Sequence, residues 1–262
     1  MNLIDTHCHL DYFGDEIDSI LQRAKEAFIE AMILCGTNPT DWDAHKRLAD
    51  LHQNLHYTVG IHPTNVDENW ERDLELLESF FQGNSKPVAI GEIGLDYHYL
   101  QGVGDARAVI ALQKEVFRQQ LLIARQKHCP IVIHSRDAFE DCKQVIDQSG
   151  CDWHNVVIHC FSENGDGMRE INARGGRASF TGIVTYKNAE NVRQALRAQG
   201  IERLMLETDC PYLAPVPWRS QRNEPAFLRE TARYVANLLG LGEAELCALT
   251  TRNARQFFKI SS

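Results

Sequence analysis

Short apolar, β-branched runs recur along the chain. Each is followed by a longer stretch in which apolar residues return every three or four positions. Eight runs stand out, at 3–7, 31–35, 57–61, 88–90, 131–133, 156–158, 178–180 and 204–206. Uninterrupted apolar runs of this length suit strands covered on both faces, as in a parallel sheet. Between them lie helical stripes: Ile17, Ile20, Leu21, Ala24 and Phe28; Leu74, Leu77, Phe80 and Phe81; Val109, Leu112, Val116, Leu121 and Ala124; then Val192 and Leu196. From Pro225 onward the pattern stays helical, with Gly240 and Gly242 separating two helices. Strands alternating with helices predict an α/β protein, and eight such units in 262 residues match a (β/α)8 TIM barrel with a parallel sheet. An open doubly wound sheet is the alternative. No GxGxxG or GxxxxGK[ST] loop follows a strand, which counts against its nucleotide-binding form. With no linker and no internal repeat, residues 1–262 are expected to form one domain.

The polar residues that interrupt this rhythm collect where strands stop. His7 and His9 are two apart at the end of the first run, so a regular strand would point both imidazoles one way together with Asp5, and Thr6 and Cys8 the other. The third run ends in Gly60-Ile61-His62-Pro63 and the fourth in Gly91-Glu92-Ile93-Gly94-Leu95-Asp96. His134-Ser135-Arg136-Asp137, His159-Cys160-Phe161 and Glu207-Thr208-Asp209 close the fifth, sixth and eighth. In a barrel of this kind the strand ends converge on one mouth. Any one of these histidines alone would ordinarily be a satisfied core residue. Gathered in one mouth, His7, His9, His134, His159, Glu92 and Asp209 would be polar groups short of partners, each costing about 1–3 kcal/mol. Bound cations remove that cost. Six ligands are too many for one tetrahedral ion with an open position, and suit two divalent ions with a bridging carboxylate. Mixed imidazole and carboxylate ligation favours Zn, Mn, Co or Fe over Ca, and admits Mg where a phosphate shares the site.

Composition narrows the setting. Hydrophobic residues make up 44% of the chain and charged residues 24%, as in ordinary globular proteins. Eight cysteines without a CxxC pair read as free thiols of a reducing compartment. No run of 18 apolar residues is present, so no membrane partner is expected. The first residues carry neither a basic leader nor a long apolar core, and a cytoplasmic location is expected. The formal net charge of −9 argues against a protein that coats nucleic acid non-specifically. It does not exclude nucleic acid at a local site, because distant charges are screened beyond about 8 Å. No obligate protein partner is evident, and a monomer is expected.

These motifs resemble the TatD family of metal-dependent deoxyribonucleases, within the amidohydrolase superfamily. The matching stretches begin with Asp5-Thr6-His7-Cys8-His9-Leu10-Asp11 and include those at His62, Glu92, His134 and His159. They continue through Glu207-Thr208-Asp209-Cys210-Pro211-Tyr212-Leu213 to Arg222-Asn223-Glu224-Pro225. The resemblance implies that His7 and His9 hold a first metal with Asp209 beside them, that Glu92 bridges, and that His134 and His159 hold the second. It implies that His62 faces the substrate phosphate, and Arg136 is a further candidate for phosphate contact. Asp209 would orient the attacking water and accept its proton. The implied activity is hydrolysis of DNA phosphodiester bonds from the 3′ ends of single strands. Alternatives are an ester or amide hydrolase, such as a D-aminoacyl-tRNA deacylase or lactonase, and a metal-binding scaffold without turnover. Trp218 and Tyr186 read as packing residues that could also stack on bases. Cys8, Cys160 and Cys210 read as packing against the helical layer.

Overall fold

In chain order the elements are β1 (Leu3–Cys8), α1 (Ile17–Glu26), β2 (Ile29–Leu34), α2 (Pro39–Leu51), β3 (Leu55–Val59), α3 (Trp70–Ser79), β4 (Ala89–Asp96), α4 (Ala106–Lys127), β5 (Ile131–Arg136), α5 (Phe139–Ser149), β6 (Val156–Ile158), α6 (Gly165–Arg174), β7 (Arg177–Phe180), α7 (Glu190–Gln199), β8 (Met205–Leu206), α8 (Leu228–Leu239) and α9 (Glu243–Phe258). They are taken from a computed structural model that describes residues 1–83, 85–100 and 105–261. Each strand pairs in parallel with the next, in the order β1 to β8. Backbone bonds from Asp209 N–H to the His7 carbonyl and from His9 N–H to the Cys210 carbonyl, both 2.9 Å, join the last strand to the first. The expected (β/α)8 barrel is what forms, and the open sheet is excluded by this closure. None of the described helices is long and apolar enough to cross a membrane.

The interior of the barrel is filled by Ile4, Ala31, Ile33, Ala89, Val132, Val157 and Met205, mostly small or β-branched side chains. Ala254, Phe257, Phe258 and Ile260 of α9 and the residues after it join that cluster and plug the end at which the strands begin. Each buried phenylalanine contributes about 1.5–3 kcal/mol to closing that end. The polar mouth therefore opens at the other end only. A second, larger apolar layer lies between the strands and the helices.

Two local features differ from the simple periodic reading. On β1, Asp5 pairs with Met32 but Cys8 pairs with Leu34, so three steps of β1 match two of β2. This bulge shifts the alternation of faces. Ile4 faces the interior and so does Thr6, whose hydroxyl donates to the Leu206 carbonyl at 3.1 Å. Past the extra residue, His7 and His9 also face inward. Asp5 therefore does not join them in the mouth, contrary to the two-residue spacing. Its carboxylate accepts the backbone N–H groups of His7 (3.3 Å) and Thr208 (2.9 Å) and the Thr208 hydroxyl (2.5 Å), close to Cys8 and Cys210. On β4, the strand runs eight residues rather than the three of the apolar run. Gly94 sits at φ +145°, and a Cβ there would collide with the His134 carbonyl, so glycine lets β4 and β5 approach. Phe28, expected on the apolar face of α1, lies beyond its end at φ +62° and is exposed.

Candidate active site

The ends of β1, β3, β4, β5, β6 and β8 bring imidazoles and carboxylates into the mouth, and Glu92 stands at the centre. Its Oε2 lies 3.3 Å from His7 Nε2 and 3.9 Å from His9 Nε2. Its Oε1 lies 2.6 Å from His134 Nδ1, 2.7 Å from His159 Nε2 and 3.4 Å from His62 Nε2. Asp209 Oδ1 completes the first group, 3.4 Å from His9 and 3.6 Å from His7. The carboxylate thus divides the cluster into two halves, one oxygen to each. All six residues that the strand-end argument brought together meet here, with His62 beside them. Arg136 lies at the rim, where it donates to the Tyr99 hydroxyl at 3.1 Å and sits over that ring. It makes no ion pair with Asp137, which pairs instead with His98.

Electrostatics follow from burial and this arrangement. Burial alone would raise the Glu92 carboxyl, but the imidazoles of His159, His62 and His7 hold it well below the usual range. Asp209 is also held low, the His9 hydrogen bond and the neighbouring imidazoles outweighing burial. Against the cost of burial, Glu92 with Glu207 holds the His159 imidazole protonated well above its ordinary value. His9 is pushed up to about 9, burial being overcome by Asp209, and His134 is raised against burial by Asp96 and Glu92. Burial lowers His7 and His62.

This donor set fits divalent cations. The Nε2 atoms of His7 and His9 face each other at 3.2 Å, and those of His159 and His134 Nδ1 at 3.3 Å. Two imidazole lone pairs at such separations repel unless a proton or a metal ion lies near both. His7 and His9 with Glu92, and His7 and His159 with Asp209, each bring their ligand atoms within 4.8 Å of one another. Imidazole nitrogens and carboxylate oxygens are the donors that first-row divalent ions take. Among the described residues lining the cavity, the one permanent cation is Arg136 at the rim.

The surrounding structure holds these groups in place. Asp96, the last residue of β4, is buried and lies 3.1 Å from His134 Nε2, so it turns Nδ1 toward Glu92. Glu207 is buried beneath Asp209. It accepts the Cys160 N–H at 2.6 Å and lies 3.6 Å from His159 Nδ1. Two buried glutamines of α4, seven apart and so on one face, pinch the strand-end backbone. Gln113 bonds both peptide groups of Asp96, and Gln120 bonds both of Ile61, the residue before His62. Asn223, also buried, donates to the Thr208 and Tyr212 carbonyls and orders the turn after Asp209. The backbone N–H of Thr64 donates to His62 Nδ1 at 3.2 Å, which leaves the proton of neutral His62 on Nε2, the atom that faces Glu92.

Other readings are sorted by the same geometry. Cys8 and Cys210 pack outside the barrel, as expected, but Cys160 lines the cavity, because the chain turns left-handed at φ +46° there and strand alternation ends. Trp218 stacks on Phe227 and the Tyr186 hydroxyl donates to the Ala214 carbonyl, so both are packing residues. The rings that do border the cavity are Tyr12, Tyr99 and Tyr212. The cavity volume is about 580 Å³, ample for a small-molecule or nucleotide-sized ligand.

Comparison with known proteins agrees with this architecture. A family profile described as TatD related DNase matches residues 4–259. A Bacillus subtilis (strain 168) protein named an uncharacterized metal-dependent hydrolase is 33% identical over 261 residues, 99% of this chain and 100% of the relative. A Pantoea ananatis protein named a 3'-5' ssDNA/RNA exonuclease is 31% identical over 254 residues, 94% of each chain. The crystal structure of a TatD homolog from Escherichia coli K12 superposes with a TM-score of 0.90 at 25% identity, covering 99% of this chain and 98% of that one. With a barrel of matching course and a histidine and carboxylate cluster at its mouth, the chain belongs to the TatD family of metal-dependent hydrolases.

Proposed function

We propose that the protein hydrolyses phosphodiester bonds of DNA, removing nucleotides from the 3′ ends of single strands, with two divalent ions drawn from Zn, Mn, Mg, Co or Fe. The observation that carries this reading is Glu92, which presents one oxygen to each half of the ligand cluster. His7, His9 and Asp209 would hold one ion, His134 and His159 the other, and Glu92 would bridge. When bound, such ions supply Lewis acidity, making water more acidic and a phosphoryl oxygen more electrophilic. The side chains do the rest. Asp209, kept ionised by its imidazole neighbours, accepts the proton of the water that attacks phosphorus. His62 carries its Nε2 proton toward the same space and donates it to a phosphoryl oxygen. Arg136, free of any acidic partner among the described residues, reaches a non-bridging or flanking phosphate oxygen from the rim. The relative named as a 3'-5' ssDNA/RNA exonuclease supports the choice of bond and end.

The test is direct. The purified protein, loaded separately with Mg, Mn and Zn, is given 3′-labelled oligonucleotides, a lactone panel and a D-aminoacyl-tRNA. Release of labelled nucleotide that depends on the metal is the expected result. Cleavage of a lactone or aminoacyl ester with no nucleotide released under any metal would replace this reading with the ester hydrolase. Absence of turnover on every class would leave only a scaffold.

A further inference from the structure

Four aromatic side chains among the described residues are more than half exposed: Tyr12, Phe28, Tyr99 and Tyr212. Exposing that much ring surface forgoes burial, so its placement is informative. Three of the four border the one cavity that holds the histidine and carboxylate cluster. Tyr12 follows β1 and Tyr212 follows β8, and their ring centroids are 6.0 Å apart, with Tyr12 also 6.1 Å from the His9 ring. Tyr99 follows β4 and carries the guanidinium of Arg136, at the end of β5, 5.1 Å from its ring centre. In an eight-stranded barrel of sequential order, the β8–β1 edge and the β4–β5 edge are diametrically opposed. The two aromatic groups therefore face each other across the mouth with the ligand cluster below and between them.

The charge pattern says what these walls can recognise. A groove that tracks a nucleic-acid backbone is lined by many Lys and Arg. Here Arg136 is the one such side chain among the described lining residues, in a chain of net charge −9. Flat, sequence-tolerant ring surfaces remain as the main source of contact.

We infer that the Tyr12–Tyr212 and Tyr99–Arg136 walls are base-stacking subsites, which take the nucleobases on either side of the phosphate presented to the cluster. This deepens the phosphodiesterase reading and rests on it. Recognition at the mouth is then of bases near a chain end, indifferent to their identity, with few phosphates contacted. Stacking on an aromatic ring changes binding by about 5- to 100-fold per base.

The experiment compares kcat/KM for oligonucleotides of one length whose 3′-terminal nucleotide, or the one before it, is either ordinary or abasic. It uses the metal-loaded wild type, Tyr99→Leu, Tyr12→Leu and the ring-retaining Tyr99→Phe, each checked for folding by thermal melting. The wild type should prefer the ordinary end by about 5- to 100-fold. One leucine substitution should collapse that ratio at one position, and the other at the neighbouring position, while Tyr99→Phe retains it. If ordinary and abasic ends are cut equally fast by an active wild type, the stacking subsites are refuted and the phosphodiesterase stands. A ratio that survives both leucine substitutions also refutes them. No hydrolysis of any oligonucleotide by the wild type refutes the phosphodiesterase reading, and the subsites with it.

Discussion

Gln120→Leu isolates how the helical layer controls a site it does not touch. Gln120 is buried on α4, and its amide accepts the Ile61 N–H at 2.7 Å and donates to the Ile61 carbonyl at 3.1 Å. Leucine fills similar space but leaves both peptide groups unpaired. Each orphaned group costs about 1–3 kcal/mol, and the added apolar burial returns up to about 2 kcal/mol. At the middle of these ranges the two groups cost about 4 kcal/mol and burial returns about 1, a net loss of about 3 kcal/mol. With an unfolding entropy near 2.1 cal/mol/K per residue, that lowers the melting temperature of a 262-residue chain by about 5 °C. The same displacement reaches His62, the next residue, which lies 3.4 Å from Glu92. At temperatures where the variant remains folded, its kcat should therefore fall. The fall should vanish in a His62→Ala background, because residues acting through one group are not additive. Gln113→Leu is the matched control, since it frees the peptide groups of Asp96 instead. The assay is urea unfolding with single-turnover hydrolysis for the four combinations of the Gln120 and His62 changes. An unchanged unfolding free energy, or losses of activity that simply multiply, would refute the reasoning.

Two further outcomes follow from the charges of the site. Asp209→Asn removes the proton acceptor while keeping an oxygen donor, so it should retain most of the bound metal and lose about 10²–10⁴-fold in kcat, and undiminished turnover would remove Asp209 from that role. Metal binding should release protons: His9, His134 and His159 hold theirs above the ordinary imidazole value in the ion-free protein, and ligation requires the neutral ring. The ion-free state therefore carries more protons than the loaded one, affinity rises with pH through the range from about 6.5 to about 9, and calorimetry in buffers of different ionisation enthalpy should show net proton release at pH 7, whereas none would contradict these assignments.

The eight strands were legible because a barrel strand is apolar on both faces and its run ends abruptly at a polar residue. Collecting those ends at one mouth was enough to assemble His7, His9, Glu92, His134, His159 and Asp209. What lay beyond reach was anything set by a neighbouring strand or helix. The β1 bulge, which turns Asp5 away from the mouth and onto Thr208, depends on the register with β2. The hold of Asp96 on His134 depends on the pairing of β4 with β5. Gln113 and Gln120 read as ordinary polar positions of a helix, since a glutamine that mimics a peptide group is recognisable only beside the backbone it bonds. The tyrosines of the rim follow the strands by a few residues, where no period applies. The one available cue was their closeness in sequence to His9, Asp96 and Asp209.

The central claim is that these side chains hold a pair of cations joined through Glu92, and metal analysis of the purified chain tests it most directly. Elemental analysis after exhaustive dialysis against each candidate ion should return about two equivalents per chain for the wild type and fewer for Glu92→Ala, with hydrolysis lost on chelation and restored on reloading. A preparation free of metal yet fully active, or a Glu92→Ala protein that still binds two ions, would contradict it.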